Sequence, residues 1–370
     1  RITTIRFLVL LLALFVLAAG AFWISNVHEI WSFICVAQVN IVENELLLEE
    51  MGEKMFEDYS KLVDLAKRDL ESLEFNIYHA WMKELKKTLD KMIIPAVILS
   101  QSLPGFMTQE NSRFLAKMFN TNGPTATMDD LLSLLNKVHK AMTGYFLSPE
   151  FIKQPILELL RLIGVKSFND LLMRRAFSSW KRGLQINYNI TRIEEWCKAN
   201  NISEGIIRLE HITESVKLLQ LKKSTLDDID IIYDICWTLT PLQIQRLISQ
   251  YLTADYEPAI SNEILNMVAL KVKSDENPSA LMLDQIPLDD SGPFELVEPR
   301  QLERLDSYVP AWLQVPKVKR LSELTALVNS RYFVAEEELH ANGQQHHGFE
   351  EDEDRLEEAA PLGDKVAAVD

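Results

Sequence analysis

Asp227, Asp228 and Asp230 crowd one short stretch and resemble the paired carboxylates that serve acid–base chemistry. They also follow Thr225 directly, and acids in a first turn favour the positive end of a helix. The capped, charged helix start is the reading preferred here. His346-His347 sits in an acidic stretch and is read as a solvated tail, not a metal site. Cys35, Cys197 and Cys236 are odd in number and far apart, without a CxxC, so they form neither a disulfide framework nor a zinc site. A reduced cytosolic protein accounts for them. Asn189-Ile-Thr191 and Asn201-Ile-Ser203 fit the glycosylation sequon, which has meaning only in a secretory lumen. The sequence contains no GxxxxGK[ST], GxGxxG, HExxH or GxSxG string. No catalysis, cofactor or resident metal is expected.

What remains is chemistry of recognition. Asp69, Leu73 and Asn76 are spaced four and three apart, which puts them along one stripe of a helix. An apolar side chain between an acid and an amide suits a partner peptide, although periodicity alone reads Leu73 as core. A second group gathers Arg174, Arg175, Lys181, Arg182 and Tyr188, with Lys217 and Gln220 further along. Arginine and tyrosine dominate interface hot spots, and five cations beside aromatics suit an acidic partner. Solvated helix faces are the plainer account of the same residues.

These groups must be carried by helices. Glycine is scarce, and no alternating β-branched run persists long enough for a sheet. Asp58 to Met92 is amphipathic, with Leu62, Ala66, Leu70, Leu73, Ile77, Trp81 and Leu85 predicting the buried face. Pro95 predicts its end or a kink, Leu103-Pro104-Gly105 a turn, and residues 120–126 a loop. Thr127 with Asp130, Ser167 with Asp170, Thr225 with Asp228, and Thr240-Pro241 with Gln243 predict capped helix starts. LLSLLNKVHKAM at 131–142 and ILELLRLIGV at 156–165 show more than one apolar face, as in a multi-helix bundle.

The net charge of −16 is uneven: the segment from Glu336 to Asp370 carries −10, and the body is nearly ordinary. That balance argues against a nucleic-acid binder, which needs a basic face. The acidic segment 336–370 is expected to be disordered. Phe7 to Ile24 is uncharged and follows Arg1 and Arg6, the physical pattern of a signal peptide or anchor. A membrane-anchored helical adaptor, using residues 7–24 as anchor, is therefore the alternative. A divergent core helix or an error in the gene prediction is the preferred account of residues 1–19.

Several unusual strings occur in order between Gly20 and about residue 330: LLMRRAFSSWKRGLQINYNITR at 171–192, DLESLEFNIYHAWM at 69–82, MIIPAVILSQSLPGF at 92–106, TLTPLQIQ at 238–245 and YVPAWL at 308–313. Together they resemble the dilute domain, the globular tail of class V myosins, in its fungal form. The resemblance implies an all-α fold, an elongated multi-helix bundle of two helical subdomains that meet near residue 150. It divides the chain into a lead at 1–19, the dilute domain at 20–274, a Pro-rich loop at 275–299, the last part of the tail at 300–335 and the acidic end. It also implies that vesicles and organelles are docked for actin-based transport. Positions Arg175, Tyr188, Lys217 and Gln220 then match a patch that binds Rab GTPases. Asp69, Leu73 and Asn76 match the docking stripe for vacuole or organelle adaptor proteins. The myosin motor head, in an autoinhibited state, is a further implied partner. Motor, neck and coiled coil are not among these residues.

Overall fold

The computed structural model describes residues 2–43, 49, 52–103, 126–254, 257–272 and 281–299, with side chains in the first stretch described from residue 18 to 39. Several sequence readings fall outside these residues: Pro104-Gly105, most of the loop at 120–126, YVPAWL, a helix near 321–332, His346-His347 and the acidic end. All regular structure among the described residues is helical. The described helices pack around one core running from Ala21 to Ile286.

α1 (Ile2–Glu43) and α2 (Glu53–Ile93) form an antiparallel pair. A ladder of polar contacts fixes their register. Gln38 Nε2 donates to Asp64 Oδ1 at 2.5 Å, Trp31 Nε1 to Glu71 Oε1 at 3.1 Å, and buried His28 meets Glu74 at 3.3 Å. At the far end Gly20 lies against Trp81, where a Cβ would sit 2.1 Å from the indole Cδ1. A side chain there would force the helices apart. Among the described residues, no helix is long and apolar enough to cross a membrane.

The ladder corrects the expected buried face of α2. Trp81 and Leu85 are buried as their spacing predicts, but Leu62 and Leu73 are exposed. The face that is covered instead carries Val63, Glu74, Tyr78, Met82, Lys86, Leu89 and Ile93. Two charged residues belong to it because each finds a partner, His28 for Glu74 and Glu158 for Lys86. Periodicity cannot see such pairing, so the predicted face holds at Trp81 and Leu85, is half-buried at Ala66, Leu70 and Ile77, and fails at Leu62 and Leu73.

Pro95 does not end the helical path. It opens a π-helical turn, Ile94–Leu99, in continuation of α2. The carbonyls this leaves are collected by buried Asn189, whose Nδ2 faces Val97 O at 3.0 Å and Ser100 O at 3.2 Å. The sequon at Asn189 is thus committed to the core.

α3 (Met128–Gly144) and α4 (Pro149–Met173) follow. Then come a 3-10 turn (Arg175–Phe177), α5 (Trp180–Ala199), a second 3-10 segment (Ser203–Leu209) and α6 (Glu210–Gln220). α7 (Leu226–Ile235), α8 (Pro241–Ser249) and α9 (Asn262–Lys271) complete the described helices. Reciprocal capping boxes start α3 at Thr127/Asp130, α7 at Thr225/Asp228 and α8 at Thr240/Gln243, as predicted. Ser167/Asp170 is a correction: Ser167 is buried inside α4, and Asp170 instead pairs with Arg174. Gly164 precedes Ser167 without ending the helix, because the Arg208 backbone packs where its Cβ would be, and α4 has apolar neighbours on both sides, so packing carries the helix through the cap-like string. The real cap of α4 is Ser148, with Pro149 at its first position.

Residues 282–299 have no helix, yet α4 and α8 hold the segment 281–299. Asn169 pairs both ways with the Leu283 backbone, Gln154 both ways with that of Glu295, and Gln243 donates to Leu281 O. Phe294 caps the arrangement, its ring 4.4 Å from Tyr78 and 5.9 Å from Phe151. The strap therefore runs antiparallel to α4 and lies against α2.

Candidate docking surfaces

Asp69, Leu73 and Asn76 are all exposed on α2. Leu73 keeps 46% of its surface in water, which settles it outside the core. Exposed Leu62 and Leu65 extend the apolar part of this stripe by two turns, and Phe75 flanks it. Sequence reasoning missed these three. Counting back from Leu73 in steps of three and four would have found the two leucines. The stripe is presented rigidly, because Glu71 and Glu74 tie α2 to α1 beneath it and the strap's Phe294 lies 6.1 Å from Phe75.

The second group sits on the α5–α6 pair. Gly183 packs so closely on α6 that a Cβ would meet Leu219 at 2.8 Å. Thr213 Oγ1 donates to Glu194 Oε1 at 3.4 Å lower down. These two points define an antiparallel register, which brings Tyr188 level with the turn of Lys217. Arg175 enters from the 3-10 turn just before α5, and Gln220 ends α6. Arg175 and Lys217 are exposed, while Tyr188 and Gln220 are half-buried.

The five-cation cluster expected here is reduced. Arg182 is buried, with its guanidinium 4.9 Å over the Phe177 ring, and burial pulls its pKa down. Arg174 Nε donates to Asp170 at 2.8 Å. Of the group, Arg175, Lys181 and Lys217 remain exposed to a partner. A cleft of about 260 Å³ opens next to Gln220, lined by Trp180, Lys223, Tyr251, Glu257 and Ile260 among others. Lys223 Nζ lies 4.1 Å over the Tyr251 ring and donates to two carbonyls; burial pushes its ammonium down to about 8.

α4 separates the two surfaces, packing on α2 through one face and on α6 through another. The aspartate cluster is structural. Asp228 accepts from Ser224 and Thr225 N–H groups, and Asp230 pairs with Lys271 at 2.6 Å. Among the described residues, no group of three potential ligands could hold a metal ion.

A helical scaffold with two separate side-chain surfaces and these capping strings defines a dilute-domain protein, and the DIL domain matches residues 154–255. Myosin-2 of Lachancea kluyveri is 44% identical over 317 residues, and Myosin-2 of Saccharomyces cerevisiae 40% over 321. These matches cover 82% and 83% of this chain but 20% of each relative. The chain thus spans about a fifth of the curated relatives it matches. The structure of Myo2-GTD in complex with Mmr1 superposes with a TM-score of 0.69 at 39% identity, covering 85% of this chain and 76% of that one. A myosin V cargo binding domain superposes at 0.68 and 38% identity, covering 84% and 76%. The chain belongs to the family of class V myosin cargo-binding tails.

Proposed function

We propose that this chain is the cargo grip of a class V myosin, holding vesicles and organelles for actin-based transport. The observation that carries the reading is the exposure of Leu73 between exposed Asp69 and Asn76: a rigid helix presents a leucine to water where periodicity would bury it. A solvated apolar anchor flanked by hydrogen-bonding groups suits an adaptor helix or peptide. Solved relatives in complex with Mmr1, Smy1 and Inp2 support a protein-docking role. In this reading, adaptor proteins of the vacuole or another organelle use Asp69, Leu73 and Asn76. Rab GTPases use Arg175, Tyr188, Lys217 and Gln220, so vesicle attachment follows the nucleotide state of the partner. The motor head of the complete myosin is a third partner of the folded tail.

The test separates the surfaces. Arg175→Glu with Lys217→Glu is expected to lower binding of GTP-loaded Rab by about tenfold or more through charge reversal. Both positions are exposed, so stability should move by no more than about 0.5 kcal/mol. Asp69→Ala with Asn76→Ala is expected to impair an organelle adaptor in pull-downs and spare the Rab. Equal loss of both partners in both variants would contradict two independent surfaces. Equal capture of GTP- and GDP-loaded Rab would remove the switch.

A further inference from the structure

We propose that Trp237 is the apolar anchor of the α5–α6 surface and the residue that tells a GTP-loaded Rab from a GDP-loaded one; this rests on the Rab reading of that surface. Trp237 leaves 72% of its side chain's residue surface in water, more than any other described tryptophan. The loop that displays it, between α7 and α8, is fixed on both sides. Cys236 N donates to Ile232 O at 2.9 Å, and Leu239 N to Cys236 O at 3.2 Å. Thr238 N and Oγ1 donate to the Glu214 carboxylate at 2.8 and 3.0 Å. Glu214 is buried on α6, where a carboxylate is costly unless it is bonded, and both of its oxygens serve this loop. A ring displayed on a fixed backbone loses little freedom when a partner covers it.

The same contacts place the loop beside Lys217. Cys236 Sγ donates to Glu214 O at 3.6 Å. Burial pushes the Cys236 thiol up to about 12, Glu214 adds to the rise, and the Lys217 and Lys223 ammoniums oppose it. Three residues along a helix fall about 60° short of a full turn. Lys217 therefore stands between Glu214, which holds the Trp237 loop, and the side of Thr213 and Gln220, where Thr213 meets Glu194 of α5. The cation has Tyr188 on one flank and the Trp237 loop on the other.

A GTP-loaded Rab is the occupant this arrangement fits. Cations attract an acidic surface whether or not its loops are ordered, so Arg175 and Lys217 by themselves draw both nucleotide states. The γ-phosphate orders the switch segments of a GTPase, and hydrolysis releases them. A large, rigidly held ring needs a formed apolar depression to fill, which ordered switches supply and released ones do not. Arg175 and Lys217 thus set the attraction, and Trp237 sets the nucleotide preference.

Titration of the full chain with purified Rab GTPases, each loaded with a non-hydrolysable GTP analogue or with GDP, tests this at low and high salt. Trp237→Ala is expected to weaken binding of the GTP form by about thirtyfold, a hot-spot loss, and to change the GDP form little. That loss should persist in high salt, whereas Lys217→Glu should weaken both forms, chiefly at low salt. Trp237→Ala should melt with the parent, since a position this exposed adds little to the fold. If the parent binds GTP-loaded Rab and Lys217→Glu weakens it but Trp237→Ala does not, the Rab reading stands and the anchor is wrong. Equal loss of both nucleotide forms in Trp237→Ala also overturns the anchor. If no Rab binds the parent, the Rab reading falls and the anchor with it. A parent that self-associates while Trp237→Ala is monomeric would assign the ring to a second copy and overturn the proposal.

Discussion

Glu158→Ala is expected to destabilise the fold by about 3–5 kcal/mol, the effect of stranding a buried charge. Lys86 is fully buried, and its ammonium lies 2.5 Å from Glu158 Oε1 and 2.9 Å from Asp290 O. Arg161 adds two bonds to the same carboxylate, at 2.8 and 2.9 Å. Without the carboxylate, Lys86 keeps one carbonyl in a site closed to water. Arg161 is more than one third exposed and can turn to solvent, so the damage falls on the lysine. The change also loosens the strap. Gly292, at φ +81°, packs so tightly on Glu158 that a Cβ would lie 2.6 Å from its carboxyl carbon. Urea unfolding should show the lost stability, and amide exchange should rise in residues 283–295. Replacing both partners, Lys86→Met with Glu158→Leu, is expected to recover most of the loss, because an apolar pair needs no counter-charge. A single variant within 1 kcal/mol of the parent would mean that the ammonium is hydrated or discharged at no cost.

Gly164→Ala should cost about 3 kcal/mol, at the upper end for an overpacked site, despite alanine's better helix propensity. Gly164 is buried in α4, and a Cβ there would sit 2.0 Å from the Arg208 carbonyl oxygen and 3.1 Å from its carbon. Both atoms are backbone in the 3-10 segment, so no rotamer relieves the clash. Either α4 or residues 203–209 must move, and that segment also packs on α5 and α6. If Rab binds the α5–α6 surface as proposed, weaker Rab binding should accompany the lower melting temperature, since α5 and α6 carry Tyr188 and Lys217. Gly144→Ala is the matched control: nothing lies within 4 Å of a Cβ at that helix end, and its melting temperature should not fall. If the two variants melted alike, the close approach of α4 to the 3-10 segment would be wrong.

The two candidate docking surfaces show how far linear pattern reaches. Asp69, Leu73 and Asn76 are three and four apart on a helix, so their common stripe follows from helical geometry alone. Whether that stripe faces water depends on where α1 lies, and α1 covers the other side through Gln38, Trp31 and His28. The cationic group was over-read for the same reason. Nothing in RRAFSSWKR distinguishes Arg175, which is exposed, from Arg182, which is folded over Phe177. Only the turn between α4 and α5 separates them.

The caps at Thr127, Thr225 and Thr240, the helical class and the recognition strings were written in the sequence. A cap bonds within three residues, and a family signature is a matter of residue identity. Burial of Lys86, Glu74 and Asn189, the passage of α4 through Ser167, and the strap along α4 were decided only by tertiary contact. Their partners lie tens to hundreds of positions away, Lys86 and Asp290 being 204 residues apart. A charge becomes a core residue only when folding delivers its counterpart, and no local pattern records that delivery.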